Sequence, residues 1–276
     1  MLRCGMTTTH SMVTGSTEPV RTYEDTTWRV ELLPRQAYET RYTPERPVIG
    51  FAFDRQNGVH AFAGDRNRDF AARANGFAYL PAGCEIYSRS EGGGEYLRIL
   101  RKNGQYARPR ERHFSDMADR AATDSAHRLR REILLQDTRD PLTIEALALD
   151  LERAATAIID GSEPRDLAAQ WMTQRRMKRV EAIIEARFAQ ALTVAELAEA
   201  LDLSADFFTR AFRAAFGRTP RDAIIDRRIR HARDLLLKSD APLAAIALAS
   251  GFSSHAHMTA QFSQRLGMCP SQFRRT

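Results

Sequence analysis

The sequence predicts a two-domain α+β chain: a β-sandwich or small barrel with flanking helices, then an all-α domain holding two helix-turn-helix units. Three observations carry this. The last hundred residues contain one supersecondary pattern twice, offset by about fifty positions. Between residues 28 and 100, short apolar runs broken by turn signals recur at roughly ten-residue spacing, as in an antiparallel sandwich. Charge is segregated: residues 171–276 hold 17 Lys+Arg against 10 Asp+Glu, the preceding 170 residues 24 against 25. A basic excess confined to one part of the chain fits an electrostatic footprint on phosphate. A length of 276 residues allows each domain its own core.

Residues 1–20 are rich in Thr, Ser and Met without an apolar centre. They are expected to be a disordered arm, or a start placed too early, and not a secretory signal. Residues 21–114 form the expected sandwich. Val48 to Phe53 is strand-like, and Arg55-Gln56-Asn57-Gly58 predicts a hairpin turn before the strand Val59 to Ala63, because Asn-Gly tolerates positive φ. Phe77 to Leu80 ends at Pro81-Ala82-Gly83, and Tyr96 to Leu100 is a further strand.

Residues 115–161 change character. Residues 115–136 have helical composition without Gly or Pro. Asp140-Pro141 opens a second helix as cap and first-turn residue. Its Ile144, Leu147, Leu151, Ala154 and Ile158 fall on one stripe, open to core packing or to a second subunit, and Gly161 closes it. The segment is expected to dimerise, and residues 162–171 to be a linker.

From residue 172 the pattern is helical. Thr193 and Glu196 make a capping box, Ser204 caps the next helix, and Asp206 suits its dipole. Helix-turn-helix one spans about 194–216 and helix-turn-helix two about 243–266. Ala198 and Ala247 stand where helices must approach closely, Asp202 and Gly251 at the turns, and Gly217 and Gly267 at left-handed C-termini. Two such units can engage successive major grooves.

Residues 172–275 resemble the AraC/XylS family of bacterial transcription regulators. The likeness rests on Leu197-Ala198-Glu199, Ser204, Phe212, Gly217, Pro220, Arg233-Asp234-Leu235-Leu236, Ile246-Ala247, Gly251-Phe252-Ser253, Phe262, Gly267 and Pro270-Ser271. It implies seven helices, with the two units joined by one long helix and bound to one face of DNA. Carried over by position, the DNA contacts are Ser204, Asp206, Thr209, Arg210 and Arg213 in the first unit, and Ser253, His255, Ala256 and Thr259 in the second. Arg210 is suited to guanine O6 and N7. Ala260 stands where many members of the family carry Arg or another polar residue, which leaves base reading mainly to the first unit.

More loosely, Gly76 to Gly83 is similar to the second motif of cupin-like effector domains. Metal-dependent cupins need an HxH pair and a later histidine; here Ile86 stands in that later place, and no HxH precedes residue 255. His60 and His113 are isolated and read as surface or strand residues. His255 and His257, two apart on a helix, point in different directions. Neither metal nor cofactor is expected. Cys4, Cys84 and Cys269 form neither a disulfide framework nor a zinc site, and no apolar run would span a bilayer.

The expected function is thus a cytoplasmic, non-enzymatic, effector-responsive activator. Its partners would be double-stranded promoter DNA, RNA polymerase, an unidentified small molecule and a second copy of itself, with no membrane. The alternatives are a cupin-type enzyme and an effector-independent architectural DNA-binding protein. Aromatic residues Trp28, Phe51, Phe53, Tyr79, Tyr87 and Tyr96 suit a pocket and a sandwich core equally well.

Overall fold

In the computed structural model, residues 18–103, 112–135, 140–162 and 167–274 are described. Most of the expected N-terminal arm, 1–17, and residues 163–166 of the expected linker lie outside them. The chain forms two compact units, Met1–Asp116 and Met117–Thr276.

The first unit is a two-sheet sandwich. One sheet has six strands in the order β1-β2-β9-β4-β7-β10, the other four in the order β3-β8-β5-β6. The strands are β1 (Arg21–Glu24), β2 (Trp28–Leu33), β3 (Tyr38–Tyr42), β4 (Val48–Ala52), β5 (Gln56–Phe62), β6 (Arg68–Ala72), β7 (Gly76–Leu80), β8 (Ile86–Ser90), β9 (Tyr96–Arg101) and β10 (Phe114–Met117). In β2, β4, β7 and β9 the large apolar residues Trp28, Val30, Leu32, Ile49, Phe51, Phe77, Leu97 and Ile99 are buried on one face of the larger sheet. The alternate positions, on the face toward the smaller sheet, are small at the centre: Gly50, Ala52, Gly76 and Ala78. Sheets pack about 10 Å apart, and side chains this short leave the space between them unfilled.

The expected hairpin at Asn57-Gly58 does not form. Both residues lie inside β5, which pairs with β6 and β8, while β4 pairs with β7 and β9 in the other sheet. Gly58 serves close approach instead of a turn, since a Cβ there would overlap the Arg89 carbonyl oxygen and sit 2.9 Å from the Phe70 ring. The stretch between β4 and β5 changes sheets. His60 is a strand residue of β5 and His113 is exposed. His60 stacks on Phe70 at 5.0 Å and lies 4.8 Å from Phe62, and Phe62 stacks on His113 at 4.3 Å.

The second unit contains α1 (Arg120–Leu134), α2 (Pro141–Asp160), a 3-10 helix (Leu167–Trp171), α3 (Gln174–Arg187), α4 (Val194–Glu199), α5 (Ala205–Phe216), α6 (Pro220–Lys238), α7 (Leu243–Ala249), α8 (His255–Leu266) and α9 (Pro270–Phe273). The helix expected over 115–136 begins only at Arg120. Asp119 caps it, and Asp116 before it has φ +57°, which no helix continues through. In α2, Asp140 accepts from the Leu142 N–H, Pro141 starts the helix and Gly161 ends it at φ +68°.

Two expectations are corrected here. Ile144, Leu147, Ala148, Leu151 and Ala155 are buried within one chain, where α2 packs along α1, so Leu147 and Leu151 are core residues and not a free dimerisation stripe. Residues 167–171 are not an open linker: they fold as the 3-10 helix against α5, with the Trp171 ring edge-on to Phe207 at 5.4 Å.

The core beneath the first helix-turn-helix unit is built from Val180, Ile184, Leu197, Ala198, Phe208, Phe212, Phe216 and Ile224. Phe212 and Phe216 stack at 4.2 Å. Among the described residues no helix is long and apolar enough to cross a membrane.

Candidate nucleic-acid interface and inter-sheet chamber

The repeat seen in the sequence becomes two helices of 12 residues in matching register, α5 and α8. Each starts at a serine whose hydroxyl accepts from the backbone N–H three residues on: Ser204 from Phe207, Ser254 from His257. Each ends at a left-handed glycine, Gly217 at φ +69° and Gly267 at φ +73°. The turns before them also need positive φ, at Asp202 (+57°) and Gly251 (+80°). Glycine meets that demand at no steric cost, and aspartate tolerates it. Ala198 and Ala247 are both buried.

The inward face of α5 is Phe208, Ala211, Phe212, Ala215 and Phe216; that of α8 is Met258, Phe262 and Leu266. On the outward side Ser204, Asp206 and Arg210 are exposed, with Thr209 and Arg213 half-buried. Thr209 bonds its own helix, its hydroxyl donating to the Ala205 carbonyl at 2.8 Å. The Arg210 guanidinium lies 5.9 Å over the Phe207 ring. In the second unit Ser253, His255, Ala256 and Ala260 are exposed and Thr259 is half-buried, with its hydroxyl 3.3 Å from His255 Nε2. His257 turns to the flank, with Nδ1 3.0 Å from the Ser253 hydroxyl and its ring edge-on to Phe252.

Sequence reasoning missed Ser263 and Gln264, both exposed on the same helix. The offset that pairs Ser204 with Ser254 also pairs Arg213 with Ser263, so carrying the register one turn further would have found them. Trp171 was missed too. It is half exposed, with the Arg176 guanidinium 5.9 Å over its ring.

The two helix-turn-helix units are fastened to each other. Arg265 of α8, whose side chain is 9% exposed, donates to Asp222 Oδ1 at 2.8 Å and Asp226 Oδ1 at 2.9 Å, both on α6. Arg218, just past α5, reaches Asp226 Oδ2 at 3.5 Å. Helix α1 braces the same region. A Cβ on Gly217 would overlap the Thr123 hydroxyl and lie 3.2 Å from the Asp119 carbonyl oxygen; one on Gly267 would lie 2.9 Å from the end of Leu135. Between these anchors, burial together with Arg130, Arg218 and Arg265 holds His127 well below the usual histidine range, so its imidazole is neutral.

The sandwich encloses a chamber of about 510 Å³ between its sheets. Its apolar lining includes Val48, Phe62, Phe70, Leu80 and Ile86, its polar lining Tyr38, Tyr42, Gln56, Ser88, Tyr96 and Arg98. Of the aromatics named from sequence, Tyr79 and Tyr96 line it. Trp28, Phe51 and Phe53 are core, and Tyr87 donates to Glu39 on the smaller sheet at 3.0 Å. No group of three or more His, Cys, Asp and Glu among the described residues is placed to hold a metal ion.

A family model described as a helix-turn-helix domain matches residues 197–276. The HTH-type transcriptional regulator ExsA of Pseudomonas aeruginosa is 29% identical over 103 residues, 37% of this chain and 37% of that protein. The virulence regulon transcriptional activator VirF of Yersinia enterocolitica is 30% identical over 109 residues, 40% of each. The melibiose operon regulatory protein of Escherichia coli is 34% identical over 92 residues, 33% of this chain and 30% of that one. The chain thus spans at most about two fifths of the length of these relatives. A solved AraC-type DNA-binding-domain regulator from Chromobacterium violaceum is 24% identical, covering 37% of this chain and 92% of its own, with a TM-score of 0.35. Residues 197–276 thus match a helix-turn-helix domain, and the relatives similar to this part of the chain are transcription regulators.

Proposed function

We propose that the protein is an effector-responsive transcription regulator that reads two successive major-groove segments of double-stranded DNA with α5 and α8. The observation that carries this reading is the pair of matched helices, each with a polar outward face, joined through Arg265, Asp222 and Asp226. Arg210 reads a guanine. Asp206 accepts from a cytosine amino group or stays a capping charge. Ser204, Thr209, Arg213, Ser253, His255, Ala256 and Thr259 complete the contact surface, and Ser263 and Gln264 extend it. Activation through RNA polymerase is the sense favoured by the activators among the relatives. A homodimer would use a surface other than the Leu147–Leu151 stripe of α2, which is spent on α1. The inter-sheet chamber receives the effector; a filled sandwich core would have favoured the effector-independent reading.

The test is binding of the full chain to a duplex selected from random sequence. The logarithm of the affinity should fall linearly with log salt, and Arg210→Ala should cost about 1–3 kcal/mol at one base position only. Equal loss on all sequences would make Arg210 a phosphate contact. A flat salt response would count against DNA binding itself.

A further inference from the structure

Beside α5 lies a basic surface that the two reading helices do not account for. The first six residues of α3, Gln174 to Arg179, carry four cations and no acid. Arg175, Lys178 and Arg179 are exposed, and among the described residues no carboxylate pairs with any of them. On the same helix Glu185 is taken by Arg227, at 2.6 and 2.7 Å, and Arg187 is bound by Glu196. Cations in the first turns of a helix also oppose its dipole. The fold therefore gains nothing from the charges of this segment.

One row of contacts fixes where the surface lies. Around α5, Phe207 falls between the outward Arg210 and the inward Ala211, so it marks a flank of the helix. The 3-10 helix packs on that flank. Its Trp171 ring stands edge-on to Phe207 at 5.4 Å, the Arg210 guanidinium lies 5.9 Å over the same Phe207 ring, and the Arg176 guanidinium lies 5.9 Å over Trp171. Arg176 Nη1 also donates to the Trp171 carbonyl at 3.0 Å. The row thus runs from the outward face of α5 to the start of α3, with Trp171 52% exposed along it. Around α3, Arg175 and Arg179 neighbour Arg176, whereas Lys178 lies about 160° away from it. Elements packed side by side stand about 8–10 Å apart, and the major groove is about 12 Å wide. With α5 in the groove, a neighbour one packing distance to its side stands over the phosphates that edge the groove.

The geometry points to a third DNA contact: Trp171, Arg175, Arg176 and Arg179 grip the phosphate backbone bordering the groove that α5 reads. This rests on the reading of α5 as a groove helix and adds to it a surface outside both helix-turn-helix units. Standing over backbone and not over base edges, the surface contributes affinity without sequence preference.

The full chain is titrated, over a range of salt, with a duplex selected from random sequence and with a scrambled duplex of the same length. Arg175→Gln combined with Arg179→Gln should lower the log–log salt slope by about 1.8, at about 0.9 per phosphate contact, and weaken both duplexes by the same factor. Circular dichroism should stay native, since neither side chain is paired in the fold. Lys178→Gln, the same change of charge on the other side of α3, should leave the slope as it is. The other tryptophan, Trp28, is 1% exposed, so acrylamide quenching of the fluorescence reports on Trp171, and the duplex should protect it in the unmodified chain. An unaltered slope in the double variant, an equal loss in Lys178→Gln, or a Trp171 left open to acrylamide on DNA would each overturn the third contact and leave the reading of α5 standing. Failure of the unmodified chain to bind either duplex would remove that reading and the third contact together.

Discussion

Replacing Gly217 by alanine tests whether α1 is seated against α5. Two costs arise at this residue. An L-residue at φ +69° costs about 1–2 kcal/mol. The new methyl also overlaps the Thr123 hydroxyl and lies 2.9 Å from Thr123 Cβ and 3.2 Å from the Asp119 backbone oxygen, atoms that cannot swing aside. Overpacking of this kind costs about 1–3 kcal/mol, so Gly217→Ala should destabilise by about 2–5 kcal/mol in all. Gly267→Ala incurs the same backbone penalty but meets only the movable ends of Leu135 and Arg131, so it should stay near about 1–2 kcal/mol. The deciding measurement is a double-mutant cycle with Thr123→Ala, read by urea unfolding through Trp171 fluorescence. Alone, Thr123→Ala loses the 2.6 Å bond from its hydroxyl to the Asp119 carbonyl, about 1 kcal/mol. Combined with Gly217→Ala it removes the overlap with the hydroxyl, the shortest of the three contacts, and the pair should be less unstable than the sum by about 1 kcal/mol. Additivity within about 0.5 kcal/mol would mean that α1 does not touch α5 as described.

Three other outcomes are expected. Leu147→Ala should lower stability by about 2–5 kcal/mol without changing the sedimentation coefficient, because Leu147 is 2% exposed inside one chain; dissociation of a dimer with unchanged stability would refute its place in the core. Glu196 is held at about 2, against an ordinary 4.5, chiefly by the Arg187 hydrogen bond and then by Thr193. Its contribution is therefore complete above pH 4.5 and lost as pH falls through about 2. Glu196→Gln should accordingly flatten the acid limb of the stability curve, and an unaltered limb would exclude the capping box as its source. Ala260→Arg places a cation on the outward face of α8 and should steepen the salt dependence of duplex binding by about 0.9 in log–log slope; no change would mean that α8 does not lie along DNA.

Local chemistry made the C-terminal part legible. The serine caps, the capping box at Thr193 and Glu196 and the left-handed glycines act within four residues, so their pattern survives in the sequence; the caps and glycines recur fifty residues on, whereas the capping box has no counterpart before Leu243. Long-range pairing did not survive in this way. Asn57-Gly58 carries a turn signature, yet Gly58 answers to Arg89 and Phe70, partners identifiable only once β5 is paired with β8 and β6. The small residues Gly50, Ala52, Gly76 and Ala78 were in plain view, but their meaning as chamber walls depends on the register of β4 with β7. The stripe of α2 was read correctly as apolar. Its partner, α1, was ambiguous because periodicity names a buried face and not what covers it.

Arg265 reaches Asp222 and Asp226 of α6 and Arg218 reaches Asp226, while α1 touches the ends of α5 and α8. If α5 and α8 are the two reading heads proposed above, locking them on one frame makes a fixed-gauge caliper. On DNA gripped by both, one extra base pair between the two segments would shift the second by about 3.4 Å and turn it by roughly 35° around the duplex axis. A bonded frame cannot follow that displacement, as a flexible tether could. On that reading, binding sites would be free to drift in their letters, whereas the interval between their two halves would be held constant by Asp222 and Asp226.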